Sequence, residues 1–245
     1  MTSGFFPHSL RFSGAGYTHT GRVRTRNEDA ILLDPSGQLW VVADGMGGHG
    51  QGDVAAAMVV DGLATLADGD EPEAILAAQI QHINADIYAL ATQNGSTMGA
   101  TLVAAFLQDG VSYLAWVGDS RIYLWRDGAL RQLSHDHSRV QELMDQGLIG
   151  EAEARNHPDR HVITRAMGVA PAVDADFATL PLRADDRIML CSDGLTTCVT
   201  DTAIADILGG THGDPQTTAA ALVRAALDAG APDNVSVIVI AATED

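Results

Sequence analysis

Apolar positions along the chain fall into short continuous runs and longer periodic stretches. The runs at about 30–34, 38–43, 101–107, 111–117, 121–126, 129–133, 162–166, 173–180, 187–191 and 235–241 have strand length and composition, and predict β-strands. Two helical stretches come after the second run. Over 53–67, Ala55, Met58, Val59, Leu63 and Leu66 share one face, and Asp53 is a candidate N-cap. Over 72–92, Pro72 suits the first helical position, and Leu76, Ile80, Ile83, Ile87 and Leu90 repeat at spacings of four and three. Further helices are expected at 138–146, 202–208 and 215–229. Strands cluster around tight turns and helices arrive in pairs, so the pattern predicts an antiparallel α+β layout rather than alternating βαβ units. No repeat or linker interrupts it, and one domain over 1–245 is expected, with 1–14 as a loosely ordered N-terminal extension.

Asp-Gly between apolar runs is first a hairpin signal. Asp109-Gly110 and Asp127-Gly128 have strand runs on both sides and read as plain turns. Asp44-Gly45 and Asp193-Gly194 come after apolar runs but precede no further strand run, so the hairpin reading fits them badly. Asp119, after 114–118, and Asp233, just before 235–241, share their setting. Four acids therefore stand at strand ends, where side chains from separate strands can converge. They read either as caps, turn formers and solvated acids or as a carboxylate cluster. Such a cluster repels itself unless Arg or a divalent cation sits within it. Ligands that are all oxygen select hard ions such as Mg2+ or Mn2+.

Composition narrows the chemistry. The 245 residues carry 14 basic and 32 acidic side chains, a formal net charge of −18, and every base is Arg. Without Lys, a Walker-type phosphate loop, a kinase strand lysine and Schiff-base chemistry are excluded. Any anion must be held by Arg, backbone N–H or a metal ion. The charge also argues against nucleic acid and anionic membranes as partners. No apolar run reaches membrane-helix length, and no signal-peptide core is present. Cys191 and Cys198 lack metal or redox spacing. A cytoplasmic, disulfide-free protein is expected, and it is expected to be a monomer.

Upstream of the first acid pair, an extended 22–26 would place Arg22, Arg24 and Arg26 on one face. Beside metal-bound acids, an Arg fork grips phosphate; the bland alternative is a solvated basic edge. Spacing leaves open which Arg points inward. Gly45-x-Gly47-x-x-Gly50 also fits a dinucleotide fingerprint. That reading fails because a second helix, not a parallel strand, comes next, and Asp44 would repel a pyrophosphate.

Eight stretches in order resemble the metal-dependent protein Ser/Thr phosphatases of type 2C in their compact bacterial form. They are Val23-Arg24-x-x-Asn27-Glu28-Asp29, Val42 to His49, Met98 to Val103, and Val117-Gly118-Asp119-Ser120-Arg121-Ile122-Tyr123. Asp136-His137-Ser138, Val162 to Gly168, Leu190 to Leu195 and Asp233 to Val237 complete the set. The resemblance implies a four-layer α/β/β/α sandwich with two central antiparallel sheets flanked by helix pairs. It implies that Asp44 bridges two Mn2+ or Mg2+ ions, with the Gly45 carbonyl as a further ligand and Asp193 and Asp233 completing one shell. Asp119, with Asp193, would help bind a third ion. Glu28 and Asp29 would hold metal-bound waters, with Asn234 beside them behind the ligands. Arg24 would bind the phosphate, and about 139–161 would form a mobile flap near the substrate. Animal members place a His directly after Asp-Gly; here Met46 stands there, and His49 is the weak candidate for general acid.

The implied function is hydrolysis of phosphoserine and phosphothreonine in proteins by a metal-activated water. Phosphorylated proteins would be its partners, and a bacterial Ser/Thr kinase would be opposed. Two alternatives remain at this level. One is a catalytically silent relative that binds phosphoproteins or a kinase as a regulator. The other is a switch phosphatase for anti-sigma-factor antagonists.

Overall fold

The computed structural model describes residues 10–48, 50–66, 69–210 and 213–244. In chain order the elements are β1 (Leu10–His19), β2 (Asp29–Leu33), β3 (Leu39–Gly47), α1 (Gly52–Leu63), α2 (Pro72–Gln93), β4 (Met98–Ala100), β5 (Leu102–Gln108), β6 (Val111–Val117) and β7 (Arg121–Arg126). They continue with β8 (Ala129–Gln132), α3 (Arg139–Asp145), α4 (Glu151–Ala154), β9 (Asp176–Pro181), β10 (Arg187–Cys191), α5 (Asp193–Thr196), α6 (Asp201–Gly210), α7 (Pro215–Asp228) and β11 (Val235–Glu244). One sheet has the order β1-β11-β10-β7-β8; the other runs β2-β3-β5-β6-β9, with β4 also paired to β3. The pairings are antiparallel throughout.

The strand runs are continuously apolar because both faces of each sheet are covered. Along β3, Leu39, Val41 and Ala43 pack with Ala55, Val59, Ile80 and Ile87 of α1 and α2. The alternate residues Trp40 and Val42 point the other way, into a layer between the sheets with Leu114, Trp116, Ile188 and Ile238. Along β11, Ile238 and Ile240 join that central layer, while Val237 and Val239 pack against Leu222 and Ala226 of α7. Period-two alternation thus splits β3 and β11 between two apolar layers. Three layers of core separate four layers of structure, giving the α/β/β/α sandwich that the resemblance implied.

Asp109-Gly110 and Asp127-Gly128 have positive φ at both residues (52° and 76°; 53° and 80°), as two-residue hairpin turns of the primed type require. The other two pairs behave differently. β3 runs straight through Asp44-Gly45, and Asp193-Gly194 opens α5. Each of these glycines permits a backbone approach. A methyl group on Gly45 would collide with the Gly52 and Glu28 carbonyls, and one on Gly194 with the Asn234 carbonyl.

Several expectations are corrected. β1 begins at Leu10, inside the stretch expected to be a loose extension, and pairs along its whole length with β11. Residues 1–9 lie outside the described residues. The run 162–166 is no strand; its β contact is a single bridge from Ile163 to Ser138. Asp53 is not the N-cap of α1. Gln51 holds that position, and Asp53 sits in the first turn, where its Oδ1 accepts from Val54 N at 2.8 Å.

Candidate active site

Five aspartates from both sheets gather at one end of the sandwich. Asp29 on β2 lies opposite Asp44 on β3 in the antiparallel register. Asp119 sits in the turn from β6 to β7, Asp193 at the start of α5 and Asp233 just before β11. Burial pushes Asp44 well above the ordinary carboxylate range, and the charges of Asp29, Asp193, Asp119 and Asp233 push it further. Asp119 is raised to about 8 by burial, with Asp193 and Asp136 adding repulsion. Asp29 is raised to about 6 by burial and by Asp193 and Asp233, against the pull of two serine hydroxyls.

Those hydroxyls tie the sheets together. Ser192 Oγ and Ser236 Oγ donate to Asp29 Oδ2 at 2.9 and 2.6 Å. Asp29 Oδ1 is buried without a hydrogen-bond partner. Asp44 is braced by Thr101: Asp44 N donates to Thr101 Oγ1 at 3.1 Å and Thr101 N to Asp44 O at 2.8 Å. The Thr101 and Ser120 hydroxyls are hydrogen-bonded at 2.7 Å, linking Asp44 to the residue after Asp119. Asn234 staples the upstream loop. Its Nδ2 donates to the carbonyls of Thr20 and Arg26, and its Oδ1 accepts from Glu28 N at 2.8 Å.

The three candidate arginines separate, because 22–26 is turn and bend rather than the extended segment that would put them on one face. Arg24 Nη2 donates to Asp233 Oδ2 at 2.7 Å, and the Glu28 and Asp44 charges also raise its pKa. Arg22 turns away, its Nε donating to the Leu227 carbonyl at 2.6 Å. Arg26 lies with its guanidinium against Gly50. Arg24 is therefore the one of the three paired with a cluster carboxylate. Met46 pairs with Gly99 in the β3–β4 ladder and carries no proton to donate. His49 lies outside the described residues.

Sequence reasoning gave no role to Ser192, Ser236 and Thr101, which lie within the stretches that carry the resemblance, or to His161. His161 Nδ1 stands 3.9 Å from Asp193 Oδ2, and that contact raises its pKa. It lines a cavity of about 700 Å³, together with Asp119, Asp193, Arg155 and Arg160, between α3–α4 and the α5 end of the site.

Among the described residues, no three His, Cys, Asp or Glu side chains close into a ready-made metal cage. The donor set nevertheless fits a hard divalent ion. It is all oxygen, its members repel one another, and one buried oxygen has no partner. An ion of the Mg2+ type keeps several waters and needs only one or two carboxylates, so a complete protein cage is not required.

Known proteins share this architecture. Residues 15–227 match the family Protein phosphatase 2C. The chain is 38% identical over 235 residues to the serine/threonine phosphatase stp of Listeria welshimeri, covering 91% of this chain and 93% of that protein. The crystal structure of the Mycobacterium tuberculosis serine/threonine phosphatase PstP superposes with a TM-score of 0.89 at 38% identity, covering 97% of this chain and all of that one (100%). The catalytic domain of PstP in complex with two manganese ions matches with a TM-score of 0.89 at 35% identity, over 96% of this chain and 100% of that chain. The chain belongs to the protein phosphatase 2C family, as a metal-dependent protein serine/threonine phosphatase of the bacterial type.

Proposed function

We propose that Asp44, the Gly45 carbonyl, Asp119, Asp193 and Asp233 hold Mn2+ or Mg2+ ions, two in the core site and a third at Asp119 and Asp193. Glu28, Asp29 and Asn234 support them from behind. The observation that carries this reading is the gathering of aspartates that repel one another, with Arg24 the one arginine of the upstream three paired to them. Bound there, divalent ions neutralise the carboxylates, polarise phosphoryl oxygens and supply an acidified water for attack on phosphorus.

The chain's own groups do the rest. Arg24 is more than half exposed, so its guanidinium can share its donors between Asp233 and a phosphoryl group and orient the ester. Asp29, anchored by Ser192 and Ser236, keeps its free Oδ1 as an acceptor inside the site. Asn234 holds the 20–28 loop in which Arg24 meets Asp233. His161 brings an imidazole to the Asp193 side.

The substrates are phosphoproteins. A Ser/Thr kinase as the opposing partner, a cytoplasmic setting and a monomeric state belong to the proposal. Among the described residues no helix is long and apolar enough to cross a membrane. The 139–161 segment, which walls the cavity beside Asp119, is proposed as the substrate flap. Hydrolysis of a phosphothreonine peptide with added Mn2+ and with excess chelator tests the reading. Activity that needs the ion and is restored by returning it supports the proposal; undiminished activity in chelator defeats it.

A further inference from the structure

His137 is a buried imidazole that the chemistry above does not use. It comes after Asp136, whose carboxylate is taken up by Arg121, and precedes Ser138, the N-cap of α3. Its side chain is 4% exposed. Its main chain lies where the two ends of the 139–161 segment meet. Thr164 N donates to His137 O at 2.8 Å, Arg139 N donates to Val162 O at 2.8 Å, and Ser138 bridges Ile163.

On its other side His137 grips Gly118, the residue before Asp119. His137 N donates to Gly118 O at 2.8 Å, and Gly118 N donates to His137 Nδ1 at 3.1 Å. Gly118 has φ +104°, and a side chain there would run into Thr101, the residue that braces Asp44. The peptide before Asp119 is thus held by His137 on one side and crowded by Thr101 on the other.

The Gly118 bond fixes the tautomer. A nitrogen that accepts an N–H carries the lone pair, so the ring proton sits on Nε2. Nε2 lies 3.3 Å from Asp176 Oδ2, which accepts it. Arg165 Nη1, also 3.3 Å from Nε2, has its own acceptors in Asp176 Oδ1 at 3.2 Å and the Asp174 carbonyl at 3.3 Å.

We propose that His137 is a positioning residue: its Nδ1 sets the Gly118 peptide, and so the Asp119 carboxylate, while its main chain ties that point to the base of the 139–161 segment. The proposal rests on Asp119 being a cation ligand. Without the acceptor, Gly118 N–H is left buried and unpaired, and the peptide turns to find another partner. A carboxylate whose anchor shifts binds its ion more weakly; lost supports of this kind typically cost 10–100-fold in affinity.

Two substitutions separate the ring nitrogens. His137→Asn keeps an acceptor near the Nδ1 position and gives up Asp176. His137→Gln reaches toward Asp176 and gives up Gly118. Mn2+ titration of the metal-free proteins by calorimetry, without substrate, reads the difference beside each melting temperature. The expected result is a Kd for the Asp119-dependent ion raised about tenfold or more in His137→Gln and within about threefold of wild type in His137→Asn. At saturating Mn2+, His137→Gln should regain most of its kcat. Long-range 1H–15N NMR of the wild type should find His137 protonated on Nε2, a reading that needs no variant to fold. Equal Mn2+ affinities in all three proteins, equal losses in both variants that track their melting temperatures, or a ring protonated on Nδ1 would overturn the inference alone. Absence of Mn2+ binding by the wild type would overturn the metal site itself.

Discussion

Buried acids are handled in two ways in this molecule. At one end of the β7 strand, Asp186 is clamped by Arg126 through Nε at 2.7 Å and Nη2 at 2.5 Å, and also accepts from Arg183 N at 2.7 Å. At the other end of β7, beside the aspartate cluster, Asp136 is clamped in the same way by Arg121, with Gln132 adding a third donor. Next to that second clamp, Asp29, Asp44 and Asp119 lie among other carboxylates, with hydroxyls and one surface arginine in place of full counter-charges of their own. The first arrangement is complete as it stands and serves the fold. The second is electrostatically incomplete, and incompleteness of that kind marks a site that takes a cation.

Breaking one member of each region should have opposite consequences. Asp44→Asn should lower kcat/KM at least about a thousandfold, since the ions it is proposed to hold would supply several kcal/mol of charge stabilisation. The same change should raise the melting temperature of the metal-free protein, because it removes a carboxyl that must take up a proton or repel its neighbours. Arg126→Ala should do the reverse. It strands Asp186, 3% exposed, at a cost of about 3 kcal/mol, or roughly 6–12 °C in melting temperature, with kcat/KM little changed below the transition. Thermal melts and steady-state kinetics on both variants check the contrast.

Smaller effects sharpen it. Arg24→Ala should raise KM for a phosphopeptide about tenfold while kcat changes less, as expected for one charged hydrogen bond lost to an exposed donor. The acids also make metal-free stability depend on pH. Asp119 and Asp29 are raised from 3.8 to about 8 and about 6, so between pH 4 and pH 8 the folded chain holds protons that the unfolded chain has released. Stability contributed by those protons is present below pH 4 and lost as pH rises toward 8. Metal-free protein should therefore melt several degrees lower at pH 8 than at pH 5. Asp119→Asn should flatten that slope, and Mn2+ should restore stability most at the higher pH.

Much of this was legible in the chain. The failure of Asp44-Gly45 and Asp193-Gly194 to read as hairpins was visible locally, because neither pair leads into a second apolar strand run. The core was legible because doubly covered strands are apolar at every position. β1 was not: its Ser, Gly, Thr and His residues carry little strand signal, and it is held by its full-length pairing with β11. The run 162–166 misled in the other direction, since Val162 and Ile163 are apolar but close the base of a long loop. Which arginine faces the acids was hidden because an extended 22–26 would place Arg22, Arg24 and Arg26 alike, whereas the segment is turn and bend. Only contacts with Leu227, Asp233 and Gly50, distant in sequence, separate them. The serines that fasten Asp29 are 163 and 207 residues away from it, beyond any local pattern.

The proposed cation site keeps its aspartates partly protonated in the metal-free protein. Mn2+ binding to the metal-free protein near pH 7, measured by calorimetry in buffers of different ionisation enthalpy, tests it most directly, because ligands must shed their protons to bind. The account predicts binding accompanied by net proton release that diminishes in Asp119→Asn. No binding, or binding that releases no proton, would contradict it.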